Sequence, residues 1–574
     1  MALRVLSPVA DVAVERIIPL NPRPSDLNYK KIGLLAGFKQ HWPIILREVS
    51  YILKAVYPYS ECVEFQYPKD CVDLEDDLEY LGVVKEWLKD VDIVIVGHGD
   101  AGSCALFLAY LAATIEKLGK PAILLTHVSF LEICKSAAAA KGVPALRIVT
   151  TEIPDLSPRL SLEGVEQEII IPNLNKIKEE LIRALVSPLT LEEAKGGKPI
   201  VRDATQIIDG SVEEIEQKFY ANGWTLGFPF VLPTEEKVEQ MLRALNLRPD
   251  HIIAVLPPKK GIASAEKIAI NAIMAGCLPA YMPIVIAAVK ALSMYDRLTP
   301  GVALEGYTCS VASWAPLLVV SGLITKQLGI ASATACLSPY WKPNVSIGYA
   351  LSLVLLNIAG VRPAKEDLSF LGHEGRYGMC IAENEDDSPW EPLRVSMGFK
   401  ETDNTVTLFW PNSRIVLGMA GEDPTSILSA ICDHVGTFGF NPGSAIILSP
   451  RVAKILAKEG LTKGDVITYV VEYARRPGKT MNLRWLKGNR HIEKLPVPLP
   501  LNPEHLARRI FNPNNLLLVV AGAPYYGLMA LYNGGGDHGG PVTVAVELPE
   551  RWPYLLDHCS KFVAKHEPYY YVGE

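Results

Sequence analysis

The chain has 574 residues, of which 49% are hydrophobic and 21% are charged, and its formal net charge at pH 7 is -7. This is the composition of a globular protein that is long enough for several ordinary domains without a covalent staple. The negative charge gives no electrostatic reason to expect nucleic acid or an anionic membrane as a partner, so a small molecule is the predicted ligand.

Ten cysteines are scattered along the chain without a Cys-x-x-Cys pair. This spacing argues against a zinc ribbon and against a disulfide-dense secreted fold, and reduced thiols predict a cytoplasmic protein. The first residues lack the apolar core and cleavage site of a signal peptide. The longest uncharged run, residues 268–289, contains two prolines, Pro279 and Pro283, and is predicted to form a buried helical hairpin rather than a membrane span.

Strands and helices alternate through residues 1–195. Strands are predicted at residues 31–37, 63–67, 91–96 and 122–125, and helices at residues 42–56, 106–118, 130–141 and 176–185. The strands are apolar without polar alternation, which is typical of a parallel sheet covered by helices on both faces. We therefore predict a flavodoxin-like or doubly wound α/β domain over residues 1–195, with residues 91–96 as its central strand.

Turn-forming prolines and glycines interrupt this pattern between residues 187 and 236, so a domain boundary is predicted near residue 195. The remaining residues, 196–574, have α/β or α+β content of their own. Strands are predicted at residues 252–256, 405–409 and 516–522, and helical structure at residues 263–292. We expect a larger α/β region there, either undivided or split into two subdomains.

A glycine-rich loop follows the predicted strand at residues 91–96. Its predicted binding residues are Gly99, Asp100, Gly102 and Ser103, and Cys104 stands where the next helix begins. Unpaired backbone N–H groups and the positive end of the helix dipole converge at such a junction and favour an anion or a thiolate. We therefore predict that Cys104 is catalytic, while a buried structural cysteine is the alternative.

The same loop has two further interpretations. Residues 97–102 match the Gly-x-Gly-x-x-Gly spacing of dinucleotide-binding folds, but the next predicted strand ends in Thr126 and His127 and offers no carboxylate for a ribose. A dinucleotide site is therefore the weaker interpretation, and no cofactor is predicted apart from an external thiol or reductant. We expect Asp100 to cap the helix by accepting N–H bonds from Ser103 or Cys104.

A second candidate cluster lies at residues 373–390. Glu383 follows a predicted short strand and is a candidate general acid or base together with His373, and Arg376 is a candidate for binding a substrate carboxylate. The other predicted binding residues of this cluster are Cys380, Asn384 and Glu385. We expect the Cys104 loop to face this cluster, while a solvated acidic turn is the alternative.

Two isolated residues are weaker candidates for ligand binding. Cys277 lies at a predicted helix break, where a core cysteine is the favoured interpretation and a contact with Cys104 across the domain interface is the alternative. His538 lies in a loop with five glycines, for which a flexible surface loop is the favoured interpretation; in the alternative, Asp537 orients His538 as a base. No histidine or cysteine pair has metal-ligand spacing, so no metal is predicted.

Residues 90–160 resemble the family of (seleno)proteins named for a Sec/Cys-Gly-Ser-Cys motif, the UGSC family. Gly102, Ser103 and Cys104 match the motif, and residues 116–121, 130 and 142–147 extend the likeness. Ala101 stands at the first chalcogen position, so the resemblance implies only a single-thiol mechanism or a partner cysteine from elsewhere. Residues 267–283, 347–357 and 372–390 resemble the long region that accompanies the thiol domain in proteins of this family.

These observations lead to hypotheses from different classes. The first is a cysteine-dependent enzyme that acts on a small carboxylate or carbonyl substrate between the two regions, by thiol redox or nucleophilic chemistry. Resemblance of the thiol domain to the selenoprotein subunits of amino-acid reductases implies reductive cleavage. The alternatives are a redox-neutral lyase or hydratase, a nucleotide-using oxidoreductase, and a non-catalytic protein that binds a small anion. The sequence is compatible with a homo-oligomer.

Overall fold

The computed structural model describes residues 3–13, 16–69, 72–156, 162–197, 207–298, 303–418, 423–435, 443–477, 506–508, 512–534 and 540–560. The first part of the chain contains strands and helices in alternation after an initial strand. They are β1 (Leu3–Leu6), β2 (Lys31–Ala36), α1 (Trp42–Val56), β3 (Glu61–Gln66), α2 (Leu78–Trp87), β4 (Ile93–Gly99), α3 (Gly102–Lys117), β5 (Ala122–His127), α4 (Leu131–Ala140), β6 (Arg147–Thr151) and α5 (Ile171–Val186).

Five of these strands form one parallel sheet in the order β3-β2-β4-β5-β6. This is the order of flavodoxin-like folds, in which the direction of sheet growth reverses between the first and third strands, here β2 and β4. All residues of β4 are buried, because helices cover both faces of the sheet. The predicted α/β fold is confirmed, and the central strand is the predicted one.

The second part of the chain contains the remaining elements. The first half has β7 (Ile207–Gly210), α6 (Val212–Ala221), α7 (Glu235–Leu245), β8 (Ile252–Leu256), β9 (Gly261–Ser264), α8 (Ala265–Met274), α9 (Met282–Leu298), α10 (Leu304–Thr308), β10 (Leu317–Ser321), α11 (Ile324–Leu328), α12 (Lys342–Val354), β11 (Met379–Ala382) and α13 (Leu393–Ser396). The second half has β12 (Thr405–Phe409), β13 (Pro411–Leu417), α14 (Pro424–His434), β14 (Ser444–Leu448), α15 (Pro450–Lys458), α16 (Lys463–Tyr473), β15 (Arg475–Pro477), β16 (Leu506–Arg508), β17 (Leu516–Val520), β18 (Met529–Gly534), β19 (Val542–Ala545) and α17 (Trp552–Ser560).

Two mixed four-stranded sheets organise this second part. Their strand orders are β11-β10-β12-β19 and β13-β18-β14-β17. Apolar side chains from both sheets, including Val319 and Phe409 from one and Ile447 and Val519 from the other, form a shared buried cluster, so the sheets pack on each other. Helices α8 and α9 form the buried hairpin predicted at residues 268–289, although residues 263–264, the first of the wider predicted helical segment, belong to β9. None of the described helices is long and apolar enough to span a membrane.

Residues 3–13 pack against the second part of the chain. Strand β1 pairs antiparallel with β7, and Lys267 Nζ donates a hydrogen bond to the carbonyl of Ser7 at 2.9 Å. Val5 is fully buried in the same core as α8 and α9. The boundary near residue 195 stays a prediction. The structure adds that β1 pairs with a strand that lies about two hundred residues later in the sequence.

Candidate functional site

The carboxyl ends of β2 and β4 meet at the reversal point of the sheet, where open α/β sheets bind their ligands. The side chain of Asp100, just after β4, is fully buried there. Its carboxylate accepts hydrogen bonds from Lys39 Nζ at 2.6 Å, from Trp42 Nε1 at 2.9 Å and from His41 Nε2. All three donors follow β2, so Asp100 ties the two loops together.

Local packing places these donors. Helix α1 begins at Trp42, and Pro43 in its first turn fixes a helical backbone angle there. Gly37 lies beneath the indole of Trp42, and a Cβ on this glycine would come within 2.1 Å of the ring. The missing side chain at position 37 therefore lets Trp42 pack inward, with its N–H directed at Asp100.

Asp100 and Lys39 are held as an ion pair. Burial alone would raise the pKa of Asp100, but the charges and hydrogen bonds of Lys39 and His41 hold it well below its usual range. Burial would likewise lower the pKa of Lys39, but the nearby Asp100, Cys104 and Asp155 raise it well above its usual range. Lys39 Nζ also lies 3.2 Å from Asp155 Oδ1. At neutral pH the site therefore holds a fixed ammonium group.

Cys104 lies in the first turn of α3, as predicted, and its side chain is half-buried. Cys104 is close enough to Lys39 for an electrostatic interaction between the two groups. The expected capping role of Asp100 is wrong, because Ala101 occupies the N-cap position and Asp100 accepts bonds from the β2 loop instead. A buried carboxylate gains more from a lysine, which supplies a counter-charge as well as hydrogen bonds, than from uncharged backbone N–H groups.

The other loop residues are held by close packing. A Cβ at Gly99 would lie 2.8 Å from Thr126 Oγ1, which donates a hydrogen bond to the Gly99 carbonyl. A Cβ at Gly102 would lie 2.2 Å from the carbonyl oxygen of Cys309. Ser103 is buried. The second part of the chain therefore covers the loop at Gly102, and a side chain at that position would push it away.

His98, on β4, is not a charged neighbour of the thiol. Its ring is fully buried, and Nε2 is 2.6 Å from the hydroxyl of Thr151. Burial lowers the pKa of His98 to about 3, so the ring is neutral under physiological conditions. Lys39 is therefore the cationic group that the structure offers to Cys104.

His41, Asp100 and Asp155 each offer a ligand atom within 4.8 Å of the others, which is the spacing of a metal site. However, the Lys39 ammonium contacts both carboxylates, at 2.6 Å from Asp100 and 3.2 Å from Asp155. Because this ammonium already pairs with both carboxylates, the arrangement fits a partly buried ion-pair network better than a cation site.

The predicted residues of the second cluster separate into different surroundings. His373 and Cys380 line a cavity of about 790 Å³. Arg376 forms an ion pair with Asp367, and its Nε donates to the carbonyl of Trp314 at 2.8 Å. Burial lowers the pKa of Arg376 to about 10. Its guanidinium is thus engaged by protein groups.

Glu383, Asn384 and Glu385 line a different cavity, of about 640 Å³. The fully buried carboxylate of Glu383 accepts bonds from Lys463 Nζ at 3.0 Å and from the Leu393 N–H at 2.7 Å. Glu385 accepts a bond from the Gly322 N–H at 2.6 Å. Both carboxylates therefore have structural partners at the edge of this cavity.

The two remaining cysteine candidates are buried thiols. Cys277 donates to the carbonyl of Ser346 at 3.3 Å, and burial raises its pKa well above the usual value. Burial also raises the pKa of Cys380, to about 12. His538 lies outside the described residues. The predicted proximity of Cys104 to residues 373–385, and to Cys277, stays a prediction.

Sequence reasoning missed Lys39, His41, Trp42 and Asp155. A signal was available, since Lys39 and His41 directly follow a predicted strand beside the central one. In a flavodoxin-like order, the loop after that strand faces the loop after the central strand.

Comparison with known proteins gives one assignment. The model of the UGSC family matches residues 4–167. No curated protein matches the chain. The matched residues contain the whole parallel sheet and the loop with Gly102, Ser103 and Cys104. Residues 4–167 of this chain therefore belong to the UGSC family.

Proposed function

We propose that the chain is a cysteine-dependent enzyme in which Cys104 is the nucleophile toward the carbonyl carbon of a small substrate. The observation that supports this proposal is the position of Cys104. It is half-buried in the first turn of α3, at the reversal point of the sheet, and within electrostatic range of the Lys39 ammonium. Thiolates are stabilised at helix N-termini and next to lysine, and the thiolate is the reactive form of cysteine.

Lys39 is suited to this role because its position is fixed. The side chain is only 11% exposed, and the carboxylates of Asp100 and Asp155 hold its Nζ at 2.6 and 3.2 Å. A cation placed in advance stabilises a developing negative charge without reorganising at the moment of reaction. The same ammonium can therefore support the thiolate and then an oxyanion on the substrate.

Nucleophilic chemistry is better supported than dithiol redox chemistry. Ala101 replaces the first chalcogen of the family motif. Cys134, whose Sγ lies 3.4 Å from the Ala105 carbonyl, is buried, and burial raises its pKa to about 12. Burial also raises the pKa of Cys309 well above its usual value. Both thiols therefore stay protonated at neutral pH and are poor partners for disulfide exchange.

The proposed step is redox-neutral. The S–H bond of Cys104 breaks and its proton passes to water. The sulfur then forms a bond to the carbonyl carbon, the electron pair of the C=O π bond moves to oxygen, and that oxygen takes a proton back from water. The product is a covalent thiohemiacetal or thiohemiketal, which needs no external reductant. A lyase or transferase reaction that proceeds through such an adduct fits this step.

Alkylation with iodoacetamide, followed by peptide mapping, tests the proposal. Cys62 is an internal reference because it is the other half-buried cysteine among the described residues, and burial raises its pKa. We expect Cys104 to react about tenfold faster than Cys62 at pH 7. Lys39→Met should slow the alkylation of Cys104 about tenfold, which corresponds to about 1.4 kcal/mol of lost charge stabilisation of the thiolate.

The matched control is Lys135→Met, which removes an exposed lysine from the same domain and should leave the Cys104 rate unchanged. Cys104→Ser should retain the fold, since the two side chains are nearly isosteric. The variant should have no activity toward any carbonyl compound that the unchanged chain turns over. If Cys104 reacts no faster than Cys62 and is insensitive to Lys39→Met, Cys104 is structural and the proposal fails.

A further inference from the structure

A second ligand site is suggested by the cavity of about 790 Å³ that His373 lines. It lies among α8, α12, β11 and β13, and Cys104 is not one of its lining residues. Such a volume is in the range of pockets that enclose a small organic molecule. The cavity is therefore a separate candidate from the site proposed for Cys104.

His373 places an unused hydrogen-bond donor in the wall of this cavity. Its Nδ1 accepts a hydrogen bond from the Gly375 N–H at 2.8 Å, so in the neutral ring Nε2 carries the proton. Burial lowers the pKa of His373 and favours that neutral form. The side chain is 4% exposed, and Nε2 has no hydrogen-bond partner among the described residues. A buried donor without a partner is costly, and a ligand acceptor would satisfy it.

The backbone around His373 is held closely, so the donor is directed in advance. A Cβ at Gly375 would lie 3.0 Å from His373 Nδ1 and 2.4 Å from Met379 Cε. At Gly378, where φ is +114°, a Cβ would lie 2.4 Å from the backbone of Gly348 on α12. These contacts fix the segment that carries His373 against α12.

A cation lies in the same wall. Arg414, on β13, lines the cavity, and its charge acts on His373. It also interacts with the hydroxyl of Tyr532, which lines the cavity as well. Glu374 is nearby, but 79% of its side chain is exposed, so its carboxylate faces solvent. Arg414 and the His373 Nε2–H therefore offer donors to one anionic acceptor group.

The remaining walls are mainly apolar and aromatic, although Ser338, Asn344 and Glu374 also line the cavity. The ring of Phe228 packs edge-on against Tyr377 at 5.0 Å and against Tyr349 at 5.9 Å. Met274 and Met379 add flexible thioether side chains that adapt to ligand shape. This wall composition suits a planar or branched hydrocarbon group rather than a sugar or a phosphate.

We propose that this cavity binds an organic carboxylate with an aromatic or other apolar body. The carboxylate accepts hydrogen bonds from His373 Nε2–H and from Arg414, and the apolar body packs among Phe228, Tyr349 and Tyr377. This site is independent of Cys104 and does not require the function proposed for that residue.

Isothermal titration calorimetry on the full chain tests the proposal with two probes, 3-phenylpropanoate and its uncharged analogue 3-phenylpropanol. We expect saturable binding of the acid and about tenfold weaker binding of the alcohol, because a charge-assisted hydrogen bond distinguishes the probes. Arg414→Met and His373→Phe should each weaken binding of the acid about tenfold while changing the affinity for the alcohol little.

Two further variants serve as controls. Arg243→Met, which removes an exposed arginine on α7, and Cys104→Ala should bind the acid like the unchanged chain. Arg414 is exposed on β13, so its variant tests the site even if His373→Phe fails to fold. Absence of saturable binding of the acid, equal affinities for acid and alcohol, no effect of Arg414→Met, or loss of binding in Cys104→Ala would each overturn the proposal.

Discussion

Asp100→Asn tests whether the buried carboxylate holds the two loops of the site together. Asparagine keeps the shape of the side chain but removes its charge. The amide can accept through one oxygen, whereas the carboxylate accepts from Lys39, His41 and Trp42 through two. At least one donor would then face the amide NH₂ group, and the Lys39 ammonium would lose its buried counter-charge.

The structure sets the expected magnitude. Removing one partner of a buried ion pair costs about 3–5 kcal/mol. The Asp100 side chain is fully buried, but Lys39 keeps Asp155, whose side chain is 35% exposed, at 3.2 Å. This remaining partner places the expected loss of unfolding free energy near the lower limit, at about 3 kcal/mol.

The effect should also depend on pH with a defined sign. The folded-state pKa of Asp100 lies below its usual value, so its carboxylate stabilises the fold fully above the unfolded pKa of about 3.9. This contribution is lost as pH falls through the folded pKa. The difference between Asp100→Asn and the unchanged chain should therefore be constant from neutral pH to about pH 5 and shrink below about pH 4.

A chain of this size need not unfold in one step, so the assay must report on the parallel-sheet region alone. Urea unfolding with pulsed hydrogen exchange and mass spectrometry of peptides from α1 and α3 provides that resolution. Glu132→Gln is the matched control, because it removes one carboxylate from an exposed i,i+3 pair in the same domain and should cost only about 0.2–0.5 kcal/mol. Equal losses in the two variants, or a difference that is unchanged below pH 4, would refute the reasoning.

Three further predictions concern other positions. Lys463→Met should lower the unfolding free energy by about 3–5 kcal/mol, measured by the same assay on peptides from α16. The reason is that it leaves the fully buried carboxylate of Glu383 without its cation. Gly102→Ala should lower the unfolding free energy by about 1–3 kcal/mol and increase hydrogen exchange in α10, because the new methyl group would lie 2.2 Å from the Cys309 carbonyl oxygen. Gly82→Ala, on an exposed helical position with no atom within 4 Å of the new methyl group, should instead stabilise α2 by about 0.5–1 kcal/mol.

Most elements of the parallel-sheet region could be predicted because they have strong local signals, but β1, α2 and β6 were not predicted. Helix α1 has the predicted bounds, since its apolar residues recur at helical spacing and its buried side chains follow that stripe. The unalternating apolar run at β4 indicated a strand buried on both faces, and all its residues are buried. These signals also fix the first turn of α3 and hence the place of Cys104.

The partners of Asp100 could not be predicted from local pattern alone. An aspartate just before an apolar helix is typical of an N-cap, and that preference led to the capping hypothesis. The actual donors come from residues about sixty positions earlier, and only the sheet order brings them close. Likewise, no spacing in the sequence indicates that His373 and Arg414 share a cavity. His373 directly precedes a short helical turn, whereas Arg414 lies on β13.

The two proposed sites differ in kind. At Cys104, charged groups from neighbouring loops satisfy one another, with Lys39 held between two carboxylates, so the site is complete before any ligand arrives. At His373, the described protein groups leave a buried donor without an acceptor beside a largely apolar cavity. A preorganised charge favours a chemical reaction of a bound substrate. A hydrogen-bond donor without an acceptor, in a largely apolar wall, favours ligand binding alone. Reactivity is therefore the decisive measurement at the first site, and affinity is the decisive measurement at the second.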